Sequence, residues 1–371
     1  MKIRSFILGL GAALLLSSCA EKKGYDNMAL LYGGNVQRNP SDWTKERLAS
    51  HVTYTDPEGN ETWLFDAFLA LEIWDKGTDG NRVRSLGTGY GNKSGDRVSW
   101  QHFLDWWFTP GNGFDALDQA VEDAKKRIGR PATKRKVVIS VPDPIIYEDY
   151  KDTLSSTVYW GELDGKQLDF SKGEDRLAAV HWFIDQAIRR WKAAGYRNIV
   201  LEGFYCFTED IVTPGNGWSY ELKKSDQLYP AISDYVHSLG YTMSWIPYNH
   251  AGGYNKWQDF HLDYVMMQPN YLWHPEYSMD TYKESVRKNG LSMELELDGS
   301  VMSGSSGSDS ARERFYRYME ICRELDLYGK RELSYYLGGN SLNDLKNSSD
   351  PVDQQLYHDF CRFVAGHKVK R

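Results

Sequence analysis

The stretch "LSMELELD", residues 291–298, places Glu294 and Glu296 two positions apart with an apolar residue between them. In a β-strand, alternate side chains face the same side, so both carboxyl groups are expected on one face, about 7 Å apart. Two carboxyl groups in one cleft can break a glycosidic bond: one protonates the leaving oxygen, and the other attacks the anomeric carbon or activates water. The pattern therefore favours a second strand that ends in a carboxylate and supplies the partner group.

Glu209 is the candidate partner, because it follows the apolar stretch "NIVLEGFYCF" at residues 198–207. We predict Glu209 as the general acid/base and Glu296 as the nucleophile or base. An exposed loop acid is the alternative interpretation of Glu209, and Glu202, earlier in the same stretch, is the alternative acid. Glu294 is predicted to contact substrate, with a structural role beside an inward Arg or Tyr as its alternative.

Polar and aromatic residues also stand near the ends of other predicted strands, where they could contact a sugar. Tyr and Trp rings, such as Trp245 and Trp273, offer flat apolar faces on which sugar rings stack. Asp66 either binds a substrate hydroxyl or pairs with a basic residue lower in the fold. Gln268 and Asn270 alternate, so they either hydrogen-bond the sugar or satisfy each other. The predicted substrate contacts are Asp66, Tyr205, Tyr248, His250, Gln268, Asn270, Tyr271, Glu294 and Tyr336.

The sequence gives no reason to expect a metal or a cofactor. His250 and His274 have no third ligand at a spacing typical of metal sites, and no H-E-x-x-H segment occurs. A serine nucleophile is not favoured either, because the chain has no G-x-S-x-G turn. Carboxyl chemistry is therefore the predicted mechanism.

Eight apolar stretches alternate with amphipathic helical stretches from residue 27 onward, which favours an α/β fold, a single-domain (β/α)8 barrel of the TIM type. Reactive residues of such a barrel lie at the carboxyl ends of its strands. Inward carboxylates are unusual there, because barrel strands have no wet face. The clearest helical stretches cover 175–195, 227–240, 310–329 and 351–366. The predicted strands cover 28–34, 62–74, 136–144, 198–207, 242–249, 264–271, 291–298 and 332–339.

Residues 1–18 are typical of a bacterial secretion signal: Lys2 and Arg4 precede an apolar run that is too short to span a bilayer. "LSSC" resembles the lipobox of lipoproteins, which predicts cleavage before Cys19 and lipidation of its thiol. An ordinary signal with a chance cysteine is the alternative. Residues 19–26 are then a polar tether and residues 27–371 the barrel. The expected location is the cell envelope, at the outer membrane or cell surface, with a lipid anchor as the only membrane contact.

The charge balance argues against nucleic acid as a partner. The chain has 44 basic and 51 acidic residues and a formal net charge of -7, and removal of the signal peptide takes away two further basic residues. A chain this acidic repels a polyanion. Its 4 cysteines form neither a disulfide framework nor a zinc-binding spacing. A carbohydrate is the partner that the carboxyl and aromatic residues favour.

Several separated motifs also resemble a known family. They are "WQHFLDWWFTPGNGFDALDQAV", "GFYCFTED", "SWIPYNHAGGYNKW", "LDYVMMQPNY" and "MELELD", in this order along nearly all of the mature chain. Together they resemble an uncharacterised family of bacterial, often Bacteroidetes, proteins catalogued as a domain of unknown function. The resemblance implies a TIM-type barrel that acts on carbohydrates, with Glu209, residues 268–271, Glu294 and Glu296 on motif positions. Cys206 stands where the family's "GFYW" pattern has an aromatic residue, which removes one stacking contact.

The sequence thus predicts an exported, membrane-tethered barrel that hydrolyses a glycosidic bond in a polysaccharide or oligosaccharide. The alternative is a non-catalytic surface lipoprotein that captures glycans with the same mouth. The two differ in whether reducing ends are released.

Overall fold

The computed structural model describes residues 23–34, 36, 42–76, 83–87, 93–215 and 218–370. The predicted signal peptide, residues 1–18, and the predicted lipidation site, Cys19, lie outside the described residues. Within the described ranges, no helix combines the length and the apolar composition that a membrane crossing requires.

Eight parallel strands close into a barrel, and this confirms the fold class and the single domain predicted from the sequence. The strands follow one another around the barrel in chain order, and the last pairs with the first to close it. Their carboxyl ends therefore meet at one mouth. The strands are β1 (Asn27–Tyr32), β2 (Ala67–Leu71), β3 (Arg135–Val141), β4 (Ile199–Cys206), β5 (Thr242–Trp245), β6 (Tyr264–Met267), β7 (Ser292–Glu296) and β8 (Leu333–Tyr336).

Helices surround the barrel, and all four helical stretches predicted from the sequence contain a helix, one of them with the predicted bounds. The helix predicted over 351–366 is observed with those bounds, and the Asp350 side chain caps its first turn. The helix predicted over 227–240 is divided, because Pro230 has no amide proton and favours a helix start. The helices are α1 (Lys45–Val52), α2 (Arg97–Trp107), α3 (Gly113–Ile128), α4 (Gly173–Ala194), α5 (Trp218–Lys223), α6 (Tyr229–Ser238), α7 (Met279–Asn289), α8 (Ser308–Glu324), α9 (Ser341–Asn347) and α10 (Pro351–Gly366); the short 3-10 helices are Ser225–Gln227, Tyr254–Phe260 and Gly299–Val301.

The barrel strands are buried on both faces, because helices cover the outside and side chains fill the inside. All 7 residues of β3 and all 5 residues of β7 are buried. Glu294 and Glu296 therefore lie in a dry layer, as the alternation in the sequence predicts. Outside the strands, large rings fill the space between helices: the Trp100 ring lies 5.4 Å from that of Trp160. This layer accounts for part of the high aromatic content.

The strand predicted over residues 62–74 is wrong in its extent. Glu61–Trp63 pairs with Thr53–Thr55 in an antiparallel hairpin, and the barrel strand β2 begins only after Asp66. The backbone changes partners between the two strands: the Leu64 amide donates to the Val52 carbonyl, whereas the Asp66 amide donates to the Asn27 carbonyl of the barrel. A continuous apolar stretch does not reveal such an exchange of partners.

Asp66 consequently lies at the amino-terminal end of β2, at the opposite end of the barrel from the mouth. Its carboxylate accepts hydrogen bonds from the backbone amides of Asp26, at 2.9 Å, and Asn27, at 2.7 Å. Burial, the larger effect, raises its pKa, while Arg135 acts in the opposite direction. The prediction that Asp66 binds substrate is therefore wrong: it fixes the start of β1.

The predicted tether, residues 19–26, is also partly wrong, because residues 24–26 belong to the folded barrel. The Gly24 amide donates to the Glu202 carboxylate at 2.6 Å, and Tyr25 is completely buried. Glu202 in turn pairs with the buried Lys136 at 3.1 Å. The pairing register of β4 shifts at Glu202, which is a β-bulge that re-aims its side chain. Glu202 is thus a structural residue of the lower barrel and not the alternative acid.

Candidate active site

A cavity of about 370 Å³ opens at the carboxyl ends of the barrel strands. Its described lining contains carboxyl, amide and aromatic side chains from β1, β4, β6, β7 and β8 and from the segments that follow them. This is where the fold predicts reactive residues. Seven of the predicted site residues line this cavity: Tyr205, Glu209, Gln268, Asn270, Glu294, Glu296 and Tyr336.

Three further predicted substrate contacts lie outside the described lining of the cavity. The Tyr248 hydroxyl points to Asp210, with 3.5 Å between the oxygens. His250 is exposed and packs edge-on against Tyr277, with 4.7 Å between ring centres. Tyr271 packs against the hydrophobic core instead. We therefore do not assign these three side chains to the cavity.

Glu296 is held in one orientation by two donors. The Asn270 amide donates to Oε1 at 3.0 Å, and the Tyr318 hydroxyl lies 2.5 Å from Oε2. The Leu272 amide donates to the same Tyr318 oxygen, so the Tyr318 proton is directed to Glu296. Such donors favour the carboxylate. Burial has the larger effect and raises the pKa of Glu296 to about 8. Burial thus outweighs the two donors, and neutral pH lies below the pKa of Glu296.

Glu294 lies one pleat below Glu296 and is 1% exposed. Its Oε1 atom has no hydrogen-bond partner among the described residues. Burial raises its pKa well above the ordinary value, and the nearby Glu296 and Glu209 raise it further. Because Glu296 has two donors and Glu294 has none for Oε1, Glu296 loses its proton first. Glu294 is the carboxyl group that stays neutral.

Glu209 follows β4 and is exposed at the rim of the cavity. Its neighbours hold this segment in place: the Thr208 carbonyl accepts a hydrogen bond from the Trp245 indole at 2.6 Å, and the Thr208 hydroxyl accepts one from Lys223 at 2.7 Å. Trp245 is completely buried, so the prediction that its ring stacks on a sugar is wrong. It positions the segment that carries Glu209 instead.

Asp298 was not predicted as a site residue, although it continues the alternation of the two glutamates on β7. It lines the cavity and accepts from the Trp273 indole at 2.8 Å and from the Ser300 amide at 2.8 Å. This alternation in the sequence could have identified Asp298 as a site residue. Tyr318 was also missed, and no signal could have found it, because it reaches Glu296 from helix α8.

Tyr32, Tyr336 and Trp273 form what we call the aromatic wall of the cavity. The Tyr336 ring packs edge-on against both others, with centre distances of 5.7 Å to Tyr32 and 5.5 Å to Trp273. Trp273 is 40% exposed, which leaves part of its ring available to a ligand. Perpendicular rings present a face and an edge to the same space, and both are suited to the apolar side of a sugar.

Within the described residues, no group of three or more His, Cys, Asp or Glu side chains has the geometry to hold a metal ion. His274 pairs with Glu276 at 3.0 Å, on the exposed surface. Cys206, Cys322 and Cys361 are buried free thiols. We therefore name no residue that would hold a metal or a cofactor.

No curated protein matches the chain. Solved structures that it is similar to include a tryptophan synthase from M. tuberculosis in its aminoacrylate-bound form, at a TM-score of 0.35 and 10% identity over 92% of this chain and 93% of that chain. The tandem GH20 catalytic modules of a pneumococcal exo-β-D-N-acetylglucosaminidase are similar at a TM-score of 0.39 and 11% identity, over 92% of this chain and 83% of that chain. At these TM-scores neither likeness carries an argument about activity.

The separated motifs in the sequence predicted an uncharacterised family, and this prediction is confirmed. The match extends over residues 27–362, which include all eight barrel strands and every side chain of the cavity described above. The chain belongs to the family described as Domain of unknown function (DUF4855).

Proposed function

We propose that the protein is a glycoside hydrolase in which Glu209 and Glu296 are the catalytic carboxyl groups. One observation carries the proposal: Glu209 beyond β4 and Glu296 on β7 line one cavity at the mouth of the barrel, together with an aromatic wall. Two carboxyl groups and a surface that stacks on sugars are the parts that this reaction needs.

The two carboxyl groups have different tasks. Glu209, at the exposed rim, gives its proton to the leaving oxygen as the glycosidic C–O bond breaks. Glu296, as the carboxylate, attacks the anomeric carbon or takes a proton from the attacking water. Where Glu296 attacks, water then breaks the bond between Glu296 and the sugar, forms the new C–O bond and gives its proton to Glu209; where Glu296 activates water instead, its proton returns to Glu209 through solvent. The sugar removes water from Glu209 when it binds, which raises the proton affinity of that carboxyl group.

The pKa of Glu296 sets the pH at which this reaction begins. Its carboxylate forms as the pH rises through about 8, so activity should increase toward mildly alkaline pH. The hydrogen bonds from the Tyr318 hydroxyl and the Asn270 amide lower the pKa of Glu296 and so oppose the effect of burial. Asn270 has φ 54°, in the left-handed region that asparagine tolerates, and this conformation aims its amide at Glu296.

The floor of the cavity is suited to hold a sugar. Glu294, as a neutral acid, can donate a hydrogen bond to a sugar oxygen. The Asn270 side-chain oxygen is buried without a partner among the described residues, so it can accept one from a hydroxyl group. A bound sugar would therefore supply partners to buried polar atoms that have none among the described residues.

The test is a panel of polysaccharides and oligosaccharides assayed for released reducing ends. Wild-type protein should release them, and Glu296→Gln should abolish release while it retains glycan binding. Glu313→Gln, the same substitution at an exposed position on α8, is the matched control. Unchanged turnover in Glu296→Gln would overturn the assignment. Binding without release by the wild type would favour the alternative, a non-catalytic glycan-binding lipoprotein.

We also propose that the chain is exported and lipid-anchored at Cys19. The basic start, the short apolar run and "LSSC" support this. In a bacterial host, the wild-type protein should enter the membrane fraction with a lipid-modified amino terminus, detected by mass spectrometry. Cys19→Ser should leave the fold unchanged and release the protein. Membrane association that survives Cys19→Ser would contradict the anchor.

A further inference from the structure

We propose that the cavity selects a sugar with a free, protonated amino group, held by Asp298 and the aromatic wall, while the buried Glu294 contacts another polar group of the same glycan. This inference rests on the proposed function and names its substrate class: a glycan that contains unacetylated amino sugar. It follows from the charge of the cavity, from one unpartnered buried carboxyl group and from the arrangement of the rings.

Asp298 supplies the fixed negative charge. Its Oδ1 atom accepts from both the amide and the hydroxyl of Ser300, and its Oδ2 atom accepts from the Trp273 indole. Among the described residues, no cation pairs with Asp298, so these three donors leave its charge without a counter-ion there. Asp298 lines the same cavity as Glu296 and Glu209.

Glu294 supplies a second, independent observation. It is 1% exposed, lines the same cavity, and has an oxygen atom without a partner among the described residues. A buried polar atom without a partner is rare in native proteins and calls for a ligand group. Glu294 and Asp298 are four positions apart on an extended chain, about 13 Å, so a glycan whose amino group donates to Asp298 can present another of its hydroxyl groups to Glu294.

The aromatic wall supplies the third observation. Tyr336 packs edge-on against both Tyr32 and Trp273, and the Trp273 indole donates a hydrogen bond to Asp298. Ring faces attract a cation, most strongly the face of tryptophan, and the attraction grows when water is excluded. The aromatic wall, with a carboxylate hydrogen-bonded to one of its rings, thus forms a binding site for an ammonium group.

A cation suits this cavity better than a neutral hydroxyl group because of what binding removes. A sugar that covers the cavity expels the water that hydrates Asp298. A hydroxyl group replaces a hydrogen bond of that water but brings no charge, so the Asp298 carboxylate stays uncompensated in a dry site. An ammonium group supplies both the hydrogen bond and the opposite charge. N-acetylation removes the charge, and an acetylated sugar should lose this advantage.

Calorimetry with two matched pairs of tetrasaccharides tests the inference: glucosamine against N-acetylglucosamine, and galactosamine against N-acetylgalactosamine. The Glu209→Gln protein is used to prevent hydrolysis, at about pH 6, where a sugar amine is charged. The amino form of at least one pair should bind about tenfold more tightly than its acetylated form, as a charged hydrogen bond and a cation–π contact together would give.

Asp298→Asn removes the charge at nearly constant size and loses the hydrogen bonds of either Ser300 or Trp273, so it should lower affinity for the amino form about tenfold more than affinity for the acetylated form. Asp309→Asn, an exposed position on α8, is the matched control, and urea unfolding verifies the fold of each variant. Equal or tighter binding of the acetylated forms, or no binding of either pair, overturns the inference. Wild-type hydrolysis of a neutral glycan would then still support the proposed function. Conversely, selective binding of an amino form that the wild type never hydrolyses would support the inference and refute the catalytic assignment.

Discussion

Replacement of Glu294 by glutamine should make the protein more stable at neutral pH, although it removes a side chain of the site. In the folded protein, burial raises the pKa of Glu294 well above its ordinary value of 4.5. In the unfolded chain the same group ionises near that ordinary value. A group with a raised folded pKa stabilises the fold only at low pH, and this contribution is lost as the pH rises. Glutamine is neutral at every pH and removes this loss.

The magnitude follows from the distance between the ordinary pKa of 4.5 and the working pH. Each pH unit is worth about 1.4 kcal/mol, and about two and a half units separate that pKa from neutrality. Glu294 alone can therefore lower the free energy of unfolding by at most about 3 kcal/mol between pH 4 and pH 7, the limit for a group that stays protonated in the fold over this range. This is a large part of the total stability of an ordinary domain.

Urea unfolding of both proteins, measured at several pH values between 4 and 7, tests this reasoning. At pH 4, the difference in unfolding free energy between Glu294→Gln and the wild type reports how well the amide packs. The increase of this difference toward pH 7 reports the free energy of keeping Glu294 protonated in the fold. Glu313→Gln, on the exposed side of α8, should show no such increase. A stability difference between wild type and Glu294→Gln that does not change with pH would refute the idea that Glu294 is neutral in the fold.

Three further predictions follow from the contacts of single side chains. Tyr318→Phe removes a hydrogen bond to a charged group, worth about 1.5–3 kcal/mol, so the acidic limb of the pH profile of kcat/KM, set by Glu296, should move up by about 1–2 units. An unmoved limb would show that Tyr318 does not stabilise the carboxylate. Lys136→Met should destabilise the fold by about 3–5 kcal/mol in urea unfolding, because Glu202 stays buried without its partner. The double variant Lys136→Met/Glu202→Gln, whose amide oxygen can still accept from Gly24, should recover most of this loss, and failure to recover would show that packing is responsible. Trp273→Ala should weaken glycan binding by about tenfold in calorimetry, and unchanged affinity would exclude the aromatic wall from the binding site.

The part of the site that lies on one strand could be predicted from the sequence. The alternation at Glu294 and Glu296 fixes their common face because the strand period is two, and burial of β7 on both sides then places them in the barrel interior. The same alternation extends to Asp298. The partner Glu209 was found from its place after β4, because the carboxyl ends of parallel strands meet at one mouth.

The rest could not be predicted, because it depends on contacts between distant elements. Tyr318 meets Glu296 across the interface between a helix and the barrel, and no periodicity relates the two. Asp66 was misplaced because an apolar stretch does not show where a barrel strand begins, and a shift of a few residues moves a side chain from the mouth to the opposite end. Glu202 was turned by a bulge that only the register of its neighbours reveals.

The contact between the amino-terminal segment and the end of the barrel opposite the cavity determines how a membrane-bound form would be oriented. Gly24 is fastened to Glu202 at the end opposite the cavity. Five peptide units separate Cys19 from Gly24, and they span at most about 18 Å. A lipid on Cys19 would therefore hold the end of the barrel opposite the cavity next to the bilayer. The short connection would restrict rotation of the barrel relative to the membrane. The cavity would face outward, toward polymers that stand away from the membrane and not toward glycolipids embedded in it.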